Sequence, residues 1–249
     1  MVFAERVNKT SSIVYREKLA LKYFGSYPDE EQVINELRIW SSLGHANIVK
    51  LITISYVGFE PVAVMPFYWD GCIANDPYTR GNFKNIKAML VDVASALEFA
   101  LSRGVIHLDV KPNNIFRRSS DYGLADWGIS KILANLCLSP AYQDRLIGTL
   151  PFMPPERILH DVIDFRADIY ALGISTYQLL FNTLPFDTSS SDSLVYSIIS
   201  GEYWRRIQSL RPAGRQDWLD FIVRATDPEP NNRFRDYREL IRACSYLGN

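Results

Sequence analysis

The chain has 249 residues, 47% of them hydrophobic, with 27 basic against 28 acidic side chains and a formal net charge of −1. So much apolar content supports a substantial core and excludes wholesale disorder, while the balanced charge and the lack of a basic block give nucleic acid no electrostatic footprint. Three scattered cysteines, Cys72, Cys137 and Cys244, do not make a disulfide framework and suit a reducing interior. The start, MVFAERVNKT, lacks the charged-then-apolar pattern of a signal peptide, and no apolar run reaches membrane-spanning length. An intracellular protein, cytoplasmic or nuclear and without a membrane partner, is the expectation.

In chain order, residues 2–7, 13–16 and 19–24 read as short strands, with Glu17-Lys18 as a tight hairpin between the last two. Pro28-Asp29-Glu30-Glu31 is an acidic helix start, and Val33, Ile34, Leu37 and Trp40 follow at helical spacing. Residues 48–57 and 62–67 look like two further strands. After Asp70-Gly71 the character changes. Residues 86–101 form an amphipathic helix with Met89, Val93, Ala96, Leu97 and Ala100 along one stripe, and further helical runs cover 167–180, 194–199, 217–225 and 237–243. A β-rich N-terminal part and a mostly helical C-terminal part predict an α+β chain of two lobes with a hinge near residues 67–71.

Between two of these elements lies GVIHLDVKPNNIF, which packs His107, Asp109, Lys111, Asn113 and Asn114 into one short polar loop between apolar runs. Transferring the terminal phosphoryl group of ATP needs cations for the phosphates, oxygens for magnesium and a carboxylate to position the attacking hydroxyl. HLDVKPNN resembles the HRDLKxxN catalytic loop of protein kinases, and Asp126-Trp127-Gly128 resembles their DFG.

The resemblance covers almost the whole chain. Leu19-Ala20-Leu21-Lys22 is similar to the VAIK strand, which puts Lys22 on the α- and β-phosphates and Ala20 against the nucleotide. His45-Ala46-Asn47-Ile48-Val49 is similar to HPNIV, and its distance from the first helix makes Glu36, rather than Glu30 or Glu31, the partner of Lys22. Val64-Met65-Pro66-Phe67-Tyr68 resembles the hinge, with Met65 as gatekeeper and Phe67 and Tyr68 beside the adenine. Gly148-Thr149, Pro154-Pro155-Glu156, Asp168 to Gly173 and Arg233 resemble the P+1 threonine, the APE glutamate, the helix-F aspartate segment and the arginine that pairs with the glutamate.

The family then implies a bilobal protein-kinase fold, a single domain over 1–249 with an N-lobe at 1–68 and a C-lobe at 69–249. It implies ATP and Mg2+ as cofactors and a protein as substrate. Asp109 would orient the substrate hydroxyl and take its proton, Lys111 would contact the γ-phosphate, and Asn114 and Asp126 would hold magnesium. Lys22 with Glu36 completes the set. Lys111 together with Gly148-Thr149 is similar to serine/threonine kinases rather than tyrosine kinases. HLDVKPxNIF is also locally similar to the Wee-type kinases and to Mos. The chain is expected to be a bare catalytic unit or an excised domain.

Three departures from the family pattern carry expectations of their own. The stretch Val7 to Ile13, VNKTSSI, is taken to stand where the glycine-rich phosphate loop belongs, and it contains no glycine. Lys9, Thr10, Ser11 and Ser12 would then meet the phosphates, nucleotide would bind more weakly, and a pseudokinase acting as a scaffold, decoy or allosteric regulator becomes the alternative to an active enzyme. Leu108 replaces the arginine that receives an activation-loop phosphate in most kinases, so a non-RD enzyme that needs no phosphorylation at Ser139, Tyr142 or Thr149 is expected. Trp127 replaces the usual Phe, and a Trp40–Trp127 contact continuing to His107 is expected to hold the first helix inward.

Overall fold

The computed structural model describes residues 2–10, 13–24, 30–58, 60–132, 149–210 and 215–248. Its N-terminal part is an antiparallel four-stranded sheet in the order β1-β2-β4-β3, made of β1 (Val2–Thr10), β2 (Ile13–Tyr23), β3 (Thr53–Val57) and β4 (Glu60–Pro66). The hairpin expected at Glu17-Lys18 does not form. The register pairs Arg6 with Glu17 and Glu5 with Lys18, so Glu17 and Lys18 lie in mid-strand. A two-residue hairpin would need positive φ and the Asn or Gly that supplies it, and neither residue is present.

Helix α1 (Glu30–Ser42) buries Val33, Leu37 and Trp40, whereas Ile34, expected on the same stripe, is 48% exposed. Only the second half of the run 48–57 is a strand. Its first half belongs to the other lobe: Val49 N–H donates to Leu124 O at 2.9 Å, and Leu124 N–H donates to Asn47 O at 2.8 Å. The Val49 amide is thus satisfied away from the sheet, whereas Ile52 N–H already donates to Val64 O on β4 at 2.8 Å.

Below the sheet the chain is mostly helical. The long helices are α2 (Phe83–Ser102), capped by Asn82, and α4 (Arg166–Phe181), with the short α3 (Pro155–Ile158) ahead of α4. They are followed by α5 (Ser191–Ser200), α6 (Glu202–Ser209), α7 (Gln216–Ala225) and α8 (Tyr237–Cys244). α4 is buried on most sides and runs against α7 so closely that a Cβ on Gly173 would lie 2.7 Å from Thr226. Two small ladders sit between the lobes: β5 (Val105–Ile106) with β8 (Lys131–Ile132), and β6 (Ile115–Arg118) with β7 (Asp121–Leu124). The polar loop 107–114 joins β5 to β6, and the segment 125–130 joins β7 to β8. Pairing of these four strands brings the two polar segments side by side. This is the bilobal α+β architecture read from the sequence.

Candidate active site

Lys22 stands near the end of β2, with its Nζ 2.5 Å from Glu36 Oε1 on α1 and 2.7 Å from Asp126 Oδ1. Burial opposes the lysine's charge, but Asp126 and Glu36 outweigh it, and its pKa rises. Burial would likewise raise Asp126, yet Lys22 above all holds its carboxyl below the usual range. Glu36 is 2% exposed, and there burial wins over Lys22, pushing its pKa up. One ammonium group therefore ties together the sheet, α1 and the segment after β7.

Gly128 is required by this arrangement. A Cβ there would come within 2.8 Å of Glu36 Oε2 and 3.4 Å of Asp126 Oδ1. Trp127 beside it is fully buried, with its ring edge-on to His107 at a centroid distance of 4.6 Å. Trp40, expected to contact Trp127, makes a polar anchor of its own. Trp40 belongs to the same buried cluster, but its indole N–H donates to Val49 O at 2.6 Å, and no ring pair joins it to Trp127 among the described residues. Trp40 thus anchors α1 to the segment that docks on β7.

In the loop 107–114, Asp109 is the hub. Its Oδ2 accepts from Lys111 Nζ at 2.7 Å and Asn114 Nδ2 at 2.9 Å, and its Oδ1 accepts from Thr149 Oγ1 at 3.0 Å. Lys111 also donates to the Thr149 hydroxyl. Asn114 spends a second N–H on Asp109 O, so its side-chain oxygen accepts no hydrogen bond among the described residues. Ala125 N–H donates to the Asn114 backbone O at 2.8 Å, which joins the segment that carries Asp126 to the loop that carries Asn114. Two hard oxygen ligands on adjoining segments fit magnesium, which keeps most of its shell as water and phosphate oxygens. No cluster of three or more His, Cys, Asp or Glu side chains that could chelate a metal unaided occurs among the described residues.

The backbone under Asp109 is held from outside the loop. His107 N–H and Leu108 N–H donate to the two oxygens of Asp168 on α4, at 2.9 and 2.7 Å. Burial raises the pKa of Asp168, against the pull of His107, these two N–H groups and Arg157. His107 Nε2 lies 3.1 Å from Ala125 O, and its Nδ1 accepts from Asp109 N–H at 3.2 Å, so the histidine is structural. Leu108 is 6% exposed and packs with Ile106 and Ala167 in a small apolar cluster. Its φ is +64°, a left-handed conformation that costs a non-glycine residue about 1–2 kcal/mol.

On the hinge side, Ala20 pairs with Met65 in register, and both are buried. Phe67 N–H donates to Lys18 O at 3.3 Å. Tyr68 C=O is taken by Gly71 N–H at 3.0 Å, while its own N–H has no acceptor among the described residues. Of the two backbone groups expected to meet adenine at Tyr68, the donor is the one available. Glu156 and Arg233 are no surface pair: Arg233 is 2% exposed and reaches both carboxylate oxygens, at 2.7 and 2.8 Å.

The expected phosphate turn falls partly outside the described residues, and the structure describes only the register of the strands that flank it. Ser11 and Ser12 lie outside the described residues; Thr10 pairs with Ile13. At about 3.3 Å per residue, Ile13 lies about 30 Å along β2 from Lys22. The backbone of Lys9 and Thr10, paired with Val14 and Ile13, therefore lies at the opposite end of β2 from Lys22. The residue paired beside the lysine end is Val2, opposite Leu21. In the family the lysine is on the third strand and the glycine-rich turn comes before the second. Here it is on the second strand of the four-stranded sheet. The sequence reading also missed Arg157, whose Nη1 donates to Leu108 O at 2.5 Å. Its only signal was a cation directly after Glu156, at the end of an otherwise uncharged stretch. Ser139, Tyr142 and Gly148 lie outside the described residues.

Comparison with known proteins agrees with this geometry. The family model described as protein kinase domain matches residues 4–245. Serine/threonine-protein kinase Pkn1 of Myxococcus xanthus is 35% identical over 220 residues, covering 84% of this chain and 31% of Pkn1. Probable serine/threonine-protein kinase PknB of Lactococcus lactis is 29% identical over 206 residues, covering 81% and 32%. Human serine/threonine-protein kinase ULK3 is 29% identical over 216 residues, covering 83% and 44%. The chain thus spans about a third of the length of the two bacterial relatives and under half of the human one.

Proposed function

The chain belongs to the protein kinase domain family, and from that premise we propose that it transfers the γ-phosphoryl group of ATP to serine or threonine hydroxyls of a protein substrate, with magnesium. The observation that carries this reading is Lys22 joined at once to Glu36 at 2.5 Å and Asp126 at 2.7 Å, across the cleft from Asp109, Lys111 and Asn114. Lys22 and Lys111 place two cations on the phosphates. Asp109 orients the attacking hydroxyl and receives its proton as the phosphoryl group passes to that oxygen and ADP leaves. The Thr149 hydroxyl, bonded to Asp109 Oδ1, supports this role, because it sets an aliphatic alcohol against that carboxylate. Asn114 and Asp126 would hold magnesium, which neutralises charge developing on the phosphates.

The reading includes activity without activation-loop phosphorylation. Leu108 is buried in an apolar cluster and offers no cation to a phosphate, while Asp168 fixes the loop directly. It also includes an intracellular setting, where ATP is supplied and the thiols of Cys72 and Cys244 stay free. The alternative, a catalytically silent scaffold, is opposed by the complete set of Lys22, Glu36, Asp109, Asn114 and Asp126, which a chain freed from catalysis has no need to keep together.

The test is phosphate transfer from labelled ATP with magnesium, to the protein itself and to generic substrates, beside Asp109→Asn. Transfer by the parent that disappears in the variant supports the reading. Nucleotide binding without transfer by either protein sinks it.

A further inference from the structure

The backbone at Leu108 has two outside holds, and only one of them belongs to Asp168. The peptide group between Leu108 and Asp109 carries the Leu108 carbonyl, and that oxygen accepts from Arg157 Nη1 at 2.5 Å. Arg157 lies in α3, directly after the glutamate that anchors Arg233, so its position is fixed by a buried ion pair. Its guanidinium is largely buried. Burial lowers its pKa, against the favourable charges of Asp168 and Asp109. Leu108 meanwhile keeps a left-handed backbone with a side chain wedged between Ile106 and Ala167. A strained conformation persists only when its surroundings over-determine it. Here Asp168 grips the N–H and Arg157 the C=O of the same residue, one position before Asp109.

We propose that Arg157 is a positioning residue for phosphoryl transfer: by gripping the Leu108 carbonyl, it fixes the Leu108–Asp109 peptide plane and with it the direction of the Asp109 carboxylate. It acts from within the fold, with no phosphate as intermediary. A charge-assisted bond of this length is stronger than a neutral one. Loss of it leaves a buried carbonyl without its donor and leaves the peptide plane held only by the longer bond of Asp109 N–H to His107 Nδ1, at 3.2 Å. Asp109 would then keep its side-chain partners, Lys111, Asn114 and Thr149, but lose its fixed direction relative to the nucleotide held by Lys22.

The inference rests on the kinase reading, and its test separates the two. Arg157→Met and Arg157→Lys are compared with the parent by steady-state kinetics, per molecule competent to bind nucleotide, and by hydrogen exchange of the Leu108 and Asp109 amides. Arg157→Met is expected to lose about 10- to 100-fold in kcat, the range for misplacing a reacting group by up to about 1 Å, with KM for ATP within about threefold. The same variant should exchange both amides at least about tenfold faster, because the hold on a strained turn has gone. Arg157→Lys, which keeps a cation and a donor, should recover most of both effects. If Arg157→Met does not fold, Arg157→Gln takes its place. A variant less stable to heat but unchanged in kcat, KM and amide exchange overturns the proposal, since the residue would then only support the fold. A parent with no transfer sinks the kinase reading instead, and the amide exchange still decides whether Arg157 holds the loop.

Discussion

Gly128→Ala is the sharpest probe of the lysine–carboxylate junction. The added methyl would lie 2.8 Å from Glu36 Oε2 and 3.3 Å from its Cδ, where ordinary contact begins near 3.4 Å. The carboxylate must therefore retreat by about 0.6 Å, the deficit in that van der Waals contact. Glu36 has little room to do so, being 2% exposed on a helix whose Val33, Leu37 and Trp40 are buried. Its other oxygen is 2.5 Å from Lys22, so the retreat is transmitted to the ammonium. A displacement of that order at a positioning group costs about 10- to 100-fold in rate, or about 1.4–2.7 kcal/mol in barrier. Overpacking adds about 1–3 kcal/mol of destabilisation. The assay is kcat/KM for phosphate transfer in a cycle with Glu36→Asp, which shortens the side chain and frees the space. The double variant should be no slower than Glu36→Asp alone, a coupling expected of groups in contact. Parental activity within twofold in Gly128→Ala, or losses that simply add, would refute the steric argument.

Arg233→Met should lower stability by about 3–5 kcal/mol, because it strands a buried carboxylate; with Glu156→Gln added, part of the loss should return, as read by urea unfolding. Phosphatase treatment should leave transfer nearly unchanged, and a large loss of activity would show that a phosphate is needed despite Leu108. The two described cysteines should differ in reactivity. Burial pushes the Cys244 thiol from 9.0 up to about 12, so at pH 8 an alkylating reagent should label Cys72 at least about 100-fold faster, as mapped by peptide mass. The unfolded Cys244 thiol loses its proton first as pH rises past 9, so this group's contribution to stability is full below that pH and falls away towards about 12. Cys244→Val should flatten that fall, and an unchanged alkaline profile would count against it.

The chemistry of the candidate site was legible because it is written in short local strings. HLDVKPNN, the DWG triplet and LALK each sit within one loop or strand, and their order along the chain pointed to the partners they meet. Asp109, Lys111 and Asn114 were marked by the resemblance of HLDVKPNN to the kinase catalytic loop, a string short enough for its side chains to converge within one loop. Helices with long apolar stripes were legible for the same reason: the stripe on α2 is set by a period of about 3.6 residues. Strand ends were not. Glu17-Lys18 looks like a polar break until Glu5 and Arg6 lie opposite, and Ile48 looks like strand until Leu124 claims the backbone on either side of it.

The sequence by itself determined the family, the bilobal α+β fold class and the strings that make up the candidate site, all of which depend on local pattern and order. Only the tertiary structure decided which strand carries Lys22. Strand pairing is a non-local choice, and it set Lys9 and Thr10 against the end of β2 that lies about 30 Å from the lysine at the rise of an extended chain. Only the structure showed that Leu108 faces an apolar cluster, and that Asp168 and Arg157, each dozens of residues away, hold its backbone. Those grips join groups distant in sequence through buried carbonyl and amide bonds, which no local pattern of side chains encodes.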